Sequence, residues 1–186
     1  VRVADPMGNL RSVAYNQLRL PEAVSNGKGG RSTYQYDVRG NVTRATTPTG
    51  AVTTYTYDAD DNLLTRTDPL GRTWTFTYDA AHRVTSARSP LNHVTTMTYF
   101  DQAVGAAYNG QLRQLTDPNG NTTTLDYDGF GNVSAITDPL GGTVNIAFDA
   151  QGYHCASIIN ANGKIKNAVW DHNDRLLGVT HASVAG

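Results

Sequence analysis

The sequence predicts an all-β protein in which antiparallel β-hairpins of about 21 residues stack into one twisted, curved sheet. Its composition favours strands, because the 186 residues include 24 Thr and 10 Tyr but one Glu and three Lys, and Thr and Tyr prefer strands whereas Glu and Lys prefer helices. An aromatic residue followed by Asp recurs at a nearly constant spacing. Between these pairs, polar and apolar residues alternate with the period of two that is typical of half-buried strands.

The aromatic–Asp pair defines the repeat. Its copies, whose Asp residues are separated by 21, 21, 49, 21 and 22 positions, are Tyr36-Asp37, Tyr57-Asp58, Tyr78-Asp79, Tyr127-Asp128, Phe148-Asp149 and Trp170-Asp171. A degenerate copy at Tyr99-Phe100 divides the interval of 49, and another begins the series at Tyr15-Asn16. We therefore predict one array of about eight copies over residues 1–186, with an insertion near 101–109.

Two further columns keep the same register and serve, with the aromatic–Asp pairs, as structural repeat positions. Seven residues before the aromatic stand Gly8, Gly29, Gly50, Gly71, Gly120, Gly141 and Gly163, with Asn92 in the degenerate copy. Three residues after the Asp stand Gly40, Asp61, His82, Gly131, Gly152 and Asp174. Gly and Asn tolerate a positive φ, so these columns predict a tight turn at each end of every hairpin.

Residues 68–88 illustrate one copy. Asp68–Gly71 has Pro second and Gly fourth, which predicts a turn. The alternation that follows places Trp74, Phe76 and Tyr78 on one face and threonines on the other. Because a lone hairpin is marginal in water, the copies are expected to stack and bury a shared aromatic face.

The return strands are expected to add aliphatic residues to that face. These residues are Val42, Leu63, Val84, Leu112, Val133 and Leu176, with His154 as the exception in this column. Two irregular segments, Asn16–Val24 and Gln102–Asn109, are candidates for a helical turn, although Pro21 limits the first.

Composition also excludes several function classes. Fifteen Lys and Arg against sixteen Asp and Glu give a net charge of −1. The sequence therefore indicates no nucleic-acid binding and contains no acidic tail. No run of 18 apolar residues predicts a membrane span, and no signal peptide is visible. Because the chain starts at Val1, we expect a fragment or a processed piece.

Candidate catalytic and metal-binding groups are better explained as structural. Most Asp residues fall at turn positions, where a carboxylate accepts backbone N–H groups; Asp60, Asp101 and Asp126 lie outside them and are well separated. The five His lack the spacing of a zinc site, and Cys155 has no partner Cys. His154 and Cys155 are strand neighbours that point to opposite faces. We therefore predict no catalytic, metal-binding or cofactor-binding residue, and no enzymatic activity.

The repeat resembles that of a known family. The pattern Gly-x6-Tyr-Asp-x2-Gly-Asn/Arg is clearest in residues 29–41, 50–62, 71–83 and 120–132. It is similar to the Rhs or YD repeat of bacterial Rhs polymorphic toxins, Tc toxin C components and animal teneurins, and the resemblance covers essentially the whole chain. The resemblance implies hairpins that wind as a spiral sheet into a hollow shell. In the toxins, this shell encloses a toxic domain that autoproteolysis releases.

Some family features are missing. A full shell needs many more than eight copies, so we expect an arc. Asp68–Gly71 and Asp138–Gly141 echo the centre of the family's self-cleavage segment. They lack its upstream Pro and the Leu or Trp after its Gly, since those positions hold Leu63 and Val133, and Arg72 and Gly142. No protease activity is expected.

The resemblance yields two functional hypotheses. The first is a structural segment of a Rhs-type shell that encapsulates or scaffolds a toxin cargo, with the remainder of the shell and the cargo as partners and with self-association through exposed sheet edges. The second is a surface module whose aromatic face recognises carbohydrate or a protein partner. Both hypotheses place the protein outside the bacterial cell, secreted or at the cell surface.

Overall fold

The computed structural model describes residues 2–4, 10–101 and 110–183. The predicted fold class is confirmed, since these residues form 17 strands and no helix. The strands are β1 (Arg2–Ala4), β2 (Leu10–Tyr15), β3 (Pro21–Ser25), β4 (Arg31–Tyr36), β5 (Val42–Thr46), β6 (Val52–Tyr57), β7 (Leu63–Thr67), β8 (Thr73–Tyr78), β9 (Val84–Arg88), β10 (Val94–Tyr99), β11 (Leu112–Thr116), β12 (Thr122–Tyr127), β13 (Val133–Thr137), β14 (Thr143–Phe148), β15 (Cys155–Ile159), β16 (Lys164–Trp170) and β17 (Leu176–Ser183).

The chain divides into two compact units, residues 1–94 and 95–186. In the first unit, β1 to β9 pair antiparallel in sequence order. In the second unit, β10 to β17 pair in the same way. Each unit is therefore a meander in which every strand contacts the strands next to it in sequence.

Two sets of turns join the strands. The aromatic-side turns, which follow the aromatic residue, are 16–19, 37–40, 58–61, 79–82, 128–131, 149–152 and 171–174. The distal turns, at the other end of the strands, are 26–29, 47–50, 68–71, 89–92, 117–120, 138–141 and 160–163. The fourth residue of every one of these turns has a positive φ, between 59° at Arg19 and 96° at Gly40. This left-handed residue closes the turn, as the glycine columns predict.

The aromatic residue always stands at a β-bulge. In β6, for example, the register shifts between Thr56 and Tyr57, so that Tyr57 faces Leu63, the first residue of the return strand. The same shift occurs at Tyr15, Tyr36, Tyr78, Tyr99, Tyr127, Phe148 and Trp170. A bulge adds local twist and re-aims a side chain, and here it does so once per hairpin.

The helical turn expected in Asn16–Val24 is wrong. The Asn16 side chain accepts the Leu20 N–H at 2.9 Å and closes an aromatic-side turn, after which β3 begins directly at Pro21. Pro lacks an N–H, so the first residue of a strand is a position it tolerates. The other candidate, Gln102–Asn109, and most of the insertion lie outside the described residues.

The aromatic face is half-buried. Ala23 is the only apolar residue less than 9% exposed, and no large side chain is fully buried, among the residues described. The second face carries cross-strand threonine pairs whose hydroxyls hydrogen-bond, such as Thr67–Thr73 at 2.8 Å and Thr137–Thr143 at 3.0 Å. Each unit is thus held by ladder and side-chain hydrogen bonds more than by a closed core. Within the described ranges there is no helix that could cross a membrane.

Candidate functional site

The aromatic-side turns hold the densest set of polar contacts in each hairpin. In the turn 58–61, one Asp58 carboxylate oxygen accepts the N–H groups of Asp60 and Asn62, both at 2.9 Å. The other oxygen accepts the Asn62 side-chain amide at 2.8 Å. The carboxylate therefore replaces the backbone partners that a tight turn leaves unpaired. The same contacts recur at Asp37, Asp79, Asp128, Asp149 and Asp171.

These contacts favour ionised carboxylates. The hydrogen bond from the Asn62 amide is the largest cause that lowers the pKa of Asp58, and the one from the Arg83 guanidinium plays that role for Asp79. The pKa is also lowered at Asp37, Asp68, Asp117, Asp128, Asp149 and Asp171. The turns therefore depend on the charged form of their Asp residues.

The aromatic of the pair connects each hairpin to the one before it. The Tyr57 hydroxyl donates to the carbonyl of Val42, 15 residues earlier, at 3.0 Å. Equivalent bonds join Tyr36 to Pro21, Tyr78 to Leu63 and Tyr127 to Leu112, and the Trp170 indole N–H donates to Cys155. Burial raises the pKa of Tyr36, Tyr57, Tyr78 and Tyr127, which keeps these donors protonated.

The residue after the turn connects each hairpin to the one that follows. The Asn41 amide donates to Asp37 of its own turn at 3.1 Å and to Asp61 of the next turn at 2.5 Å. Arg39 reaches the same neighbouring turn through the Ala59 and Asp58 carbonyls. Three further bridges of this kind run from Asn62 to His82, from Gln111 to Gly131 and from Asn132 to Gly152.

His154 occupies this bridging position in a copy that is one residue longer than the others. Its Nδ1 lies 2.6 Å from the Asp149 carboxylate, its Nε2 lies 3.2 Å from Asp174, and its ring stacks on Trp170 at 4.8 Å. The imidazole can donate from both nitrogens only when it is protonated. Its hydrogen bond is the largest cause that lowers the pKa of Asp149.

The placement of His154 in the column of Val42 and Leu63 is therefore wrong. The Asp149 N–H bonds to the His154 carbonyl, as the Asp37 N–H bonds to that of Asn41. Cys155 faces Phe148 and takes the column position instead. The extra residue of this copy shifts the register by one, because the longer turn absorbs Tyr153.

A glycine of the aromatic-side turns also contacts the preceding hairpin. Gly152 has φ +76°, and a Cβ built on it would lie 2.5 Å from the Phe130 ring. Distal glycines such as Gly71, Gly120 and Gly141 also have a positive φ, but a Cβ there would meet nothing within 4 Å. Glycine is thus favoured by conformation in both sets of turns, although Arg19, Asp61, His82, Asn92 and Asp174 also adopt the positive φ. At Gly152 it is required by space as well.

The structure places the repeat positions named by the sequence in these turns and bulges. Sequence reasoning missed the hydrogen bonds between hairpins, although the signal was present. The aromatic and the first residue of the preceding return strand keep a separation of 15 positions. Within the ranges that the structure describes, no group of three or more His, Cys, Asp or Glu could hold a metal ion.

Comparisons with known proteins give one family and one fold. The sequence matches the family described as RHS Repeat over residues 23–52, 36–73, 57–94 and 108–143, which together exceed half of the chain. A search of curated protein sequences finds no match.

Solved Tc toxin structures share the fold. The crystal structure of TcdB2-TccC3 is similar with a TM-score of 0.55 and 16% identity, over 97% of this chain and 13% of that one. A Photorhabdus luminescens Tc holotoxin pore gives 0.53 and 15%, over 98% of this chain and 12% of that one. The chain thus spans about an eighth of the chains it matches.

Proposed function

The chain belongs to the RHS Repeat family, and from this premise we propose that it is a segment of the wall of a larger exported shell that encloses a toxin cargo. The observation that carries the proposal is the hydrogen bond that each aromatic donates to the hairpin before it. This contact has the same form at five copies, so adding a hairpin extends the sheet by the same rule. Such an array is suited to forming the wall of a shell, because the width of the sheet increases with the number of hairpins.

The exposed surface supports a role inside a larger assembly. In the described part of the chain, Ala23 is the only apolar residue less than 9% exposed, and large apolar side chains such as Leu70 and Leu140 are mostly exposed. Both faces of the sheet therefore remain accessible for packing against other parts of a larger assembly. The structures that share the fold are Tc toxin complexes of TcdB2 and TccC3, and by analogy the remainder of a Rhs shell and its cargo are the proposed partners.

A structural rather than catalytic role fits the chemistry of the turns. Asp is the most numerous titratable residue, and most Asp side chains accept N–H groups of their own turn, as Asp58 does together with the amide of Asn62. A general acid or base needs access to a substrate proton. We propose that these carboxylates serve the turns and that the chain acts as a scaffold.

The decisive experiment uses the chain with its natural flanking sequence. Negative-stain electron microscopy and limited proteolysis are expected to show a hollow particle in which a downstream segment resists protease. Replacing Tyr36, Tyr57 and Tyr78 together with Phe should weaken the wall and expose that segment. A solid particle, or a downstream segment cleaved as fast as a free peptide, would refute the encapsulation role.

Self-association is a second consequence. In the described part of the chain, β17 pairs with β16, and its residues 176–182 are exposed. A strand at a sheet edge is a template for pairing with another chain. Sedimentation of the isolated chain should show oligomers that grow with concentration, and a monomer at high concentration would contradict this expectation.

Carbohydrate recognition is the second candidate function. One observation favours it: the Arg66 guanidinium lies 4.9 Å from the ring centre of Trp74 on the half-exposed aromatic face. The guanidinium lies over the ring and is held there by the cation–π contact, where it could pair with a sugar that carries a carboxylate. Titration of acidic oligosaccharides should quench Trp fluorescence, and Trp74→Ala should abolish that response. Absence of any response across a glycan array would leave the scaffold as the sole proposal.

A further inference from the structure

The second unit contains a groove that the repeat contacts do not explain. It has a volume of about 550 Å³ and is lined by Ile158, Asn160, Lys164, Ile165, Lys166, His181 and Ala182. This volume lies within the range of ligand-binding clefts. The groove lies at the distal end of β15, β16 and β17, away from the aromatic-side turns.

The cations of the groove lie on the aromatic face. Ile146, Ile158, Lys166 and His181 stand opposite one another on four successive strands and form one row across the sheet. Ile146 belongs to the aromatic-face column of its hairpin. Lys164 precedes Lys166 by two positions in the same strand, so both side chains leave that face.

The charge of this groove is unusual for the chain. The chain has three lysines and a net charge of −1, yet two of the lysines line the groove and no Asp or Glu does. Counted back from the aromatic residue, the position of Lys166 is held by Thr53 in the second regular copy, by Trp74 in the third and by Val144 in the one before. The cationic pair is therefore specific to this copy.

The spacing of the cations selects an extended ligand. Residues two apart in a strand are separated by about 6.7 Å, and neighbouring strands by about 4.8 Å. In an extended peptide, acidic residues at positions i and i+2 share one side and repeat at the same interval of about 6.7 Å. Such a segment, laid along β16, would bring one carboxylate to each lysine.

We propose that this groove binds an extended acidic peptide segment, with carboxylates at i and i+2 paired to Lys164 and Lys166. His181 lies across from Lys166 and adds a hydrogen-bond donor. Ile158 provides apolar surface beside the ion pairs, which limits their screening by water. The inference does not depend on the shell function, since it rests on the lining of the groove alone.

Fluorescence anisotropy on the whole chain tests the proposal. The probe is a dye-labelled peptide in which Glu alternates with Ser, and its control has the same composition with all Glu in one block. The alternating peptide should bind saturably and more tightly than the block peptide, and added salt should weaken it. Equal affinity for the two peptides, or no saturable binding, would overturn the proposal.

Matched variants locate the site. Lys164→Gln with Lys166→Gln should reduce affinity at least about tenfold, whereas Lys28→Gln, which removes the third lysine from a distal turn of the first unit, should leave it unchanged. Lys164→Arg with Lys166→Arg retains both charges and should retain binding. If the Lys28 variant loses as much affinity as the double variant, the peptide is attracted by the overall charge of the chain, and the proposed site is wrong. Circular dichroism confirms that each variant is folded.

Discussion

The two ends of each hairpin use the same turn but differ in what the turn contacts. In the distal turn 68–71, Asp68 accepts the N–H groups of Leu70 and Arg72 and pairs with the Arg72 guanidinium at 2.6 Å, all within the turn itself. After the aromatic-side turn 37–40, the Asn41 side chain also donates a hydrogen bond to Asp61 of the neighbouring hairpin. Distal turns link one hairpin to the next along the chain, whereas each aromatic-side turn closes a hairpin and also hydrogen-bonds to the neighbouring hairpin.

This difference accounts for the residues that each end accepts. The first position of a distal turn is held by Asn26, Thr47, Asp68, Ser89, Asp117, Asp138 or Asn160, because a single side-chain oxygen is enough to accept the turn N–H groups. Aromatic-side turns favour Asp, since its second oxygen holds the side chain that reaches the next hairpin. The repeat motif is thus strictest where hairpins meet.

Acid is expected to have the largest effect, because it acts on all the shifted carboxylates at once. Their pKa values are lowered from 3.8 in the folded chain, so they stabilise the fold fully above that pH. The stabilisation is lost as pH falls below 3.8 through the lowered values. Circular dichroism should show acid unfolding below pH 3.8, with proton uptake; an unfolding free energy independent of pH there would contradict this.

Glycine replacements separate the two ends next. Gly141→Ala places a side chain at positive φ and should lower the unfolding free energy by about 1–2 kcal/mol. No further cost is expected, because nothing obstructs the added Cβ. Gly152→Ala should cost more, since Phe130 of the preceding hairpin must also move. Urea unfolding measures both. Equal costs would show that Phe130 does not hold the hairpins together.

The hydroxyl bond between hairpins should have a smaller effect. Tyr57→Phe removes the donor to the Val42 carbonyl and should lower the unfolding free energy by about 1 kcal/mol. Tyr55→Phe is the control, because the Tyr55 hydroxyl has no hydrogen bond to the described part of the chain. If the urea midpoints of the two variants shift equally, the hydrogen bond from Tyr57 to Val42 does not contribute to stability.

The amide bridge should have the smallest effect. Asn41→Ala loses a bond within its turn and another to the next turn, whereas Asn121→Ala loses only the bond to Asp117 in its own turn. We expect the first variant to be less stable than the second by about 0.5–1 kcal/mol. Thermal unfolding compares the stabilities of the two variants. A less stable Asn121→Ala variant would show that the bond from Asn41 to Asp61 of the next turn does not stabilise the fold.

The sequence alone determined the repeat, the strands and both sets of turns. These features are local: a Pro or Gly at a fixed offset and a two-residue alternation act within one hairpin, so they can be read without knowing what lies beside it. The RHS resemblance followed from the same columns. The helical turn at Asn16–Val24 is the exception, since a short turn there depends on the side-chain bond from Asn16.

The contacts between hairpins become visible in the three-dimensional structure. The bond from Tyr57 to Val42 spans two strands and requires the bulge that aims the tyrosine. The replacement of His154 by Cys155 in its column depends on how a longer turn absorbs one residue. The first depends on a contact between residues 15 positions apart, and the second on the backbone path of one longer turn, and a periodic pattern specifies neither.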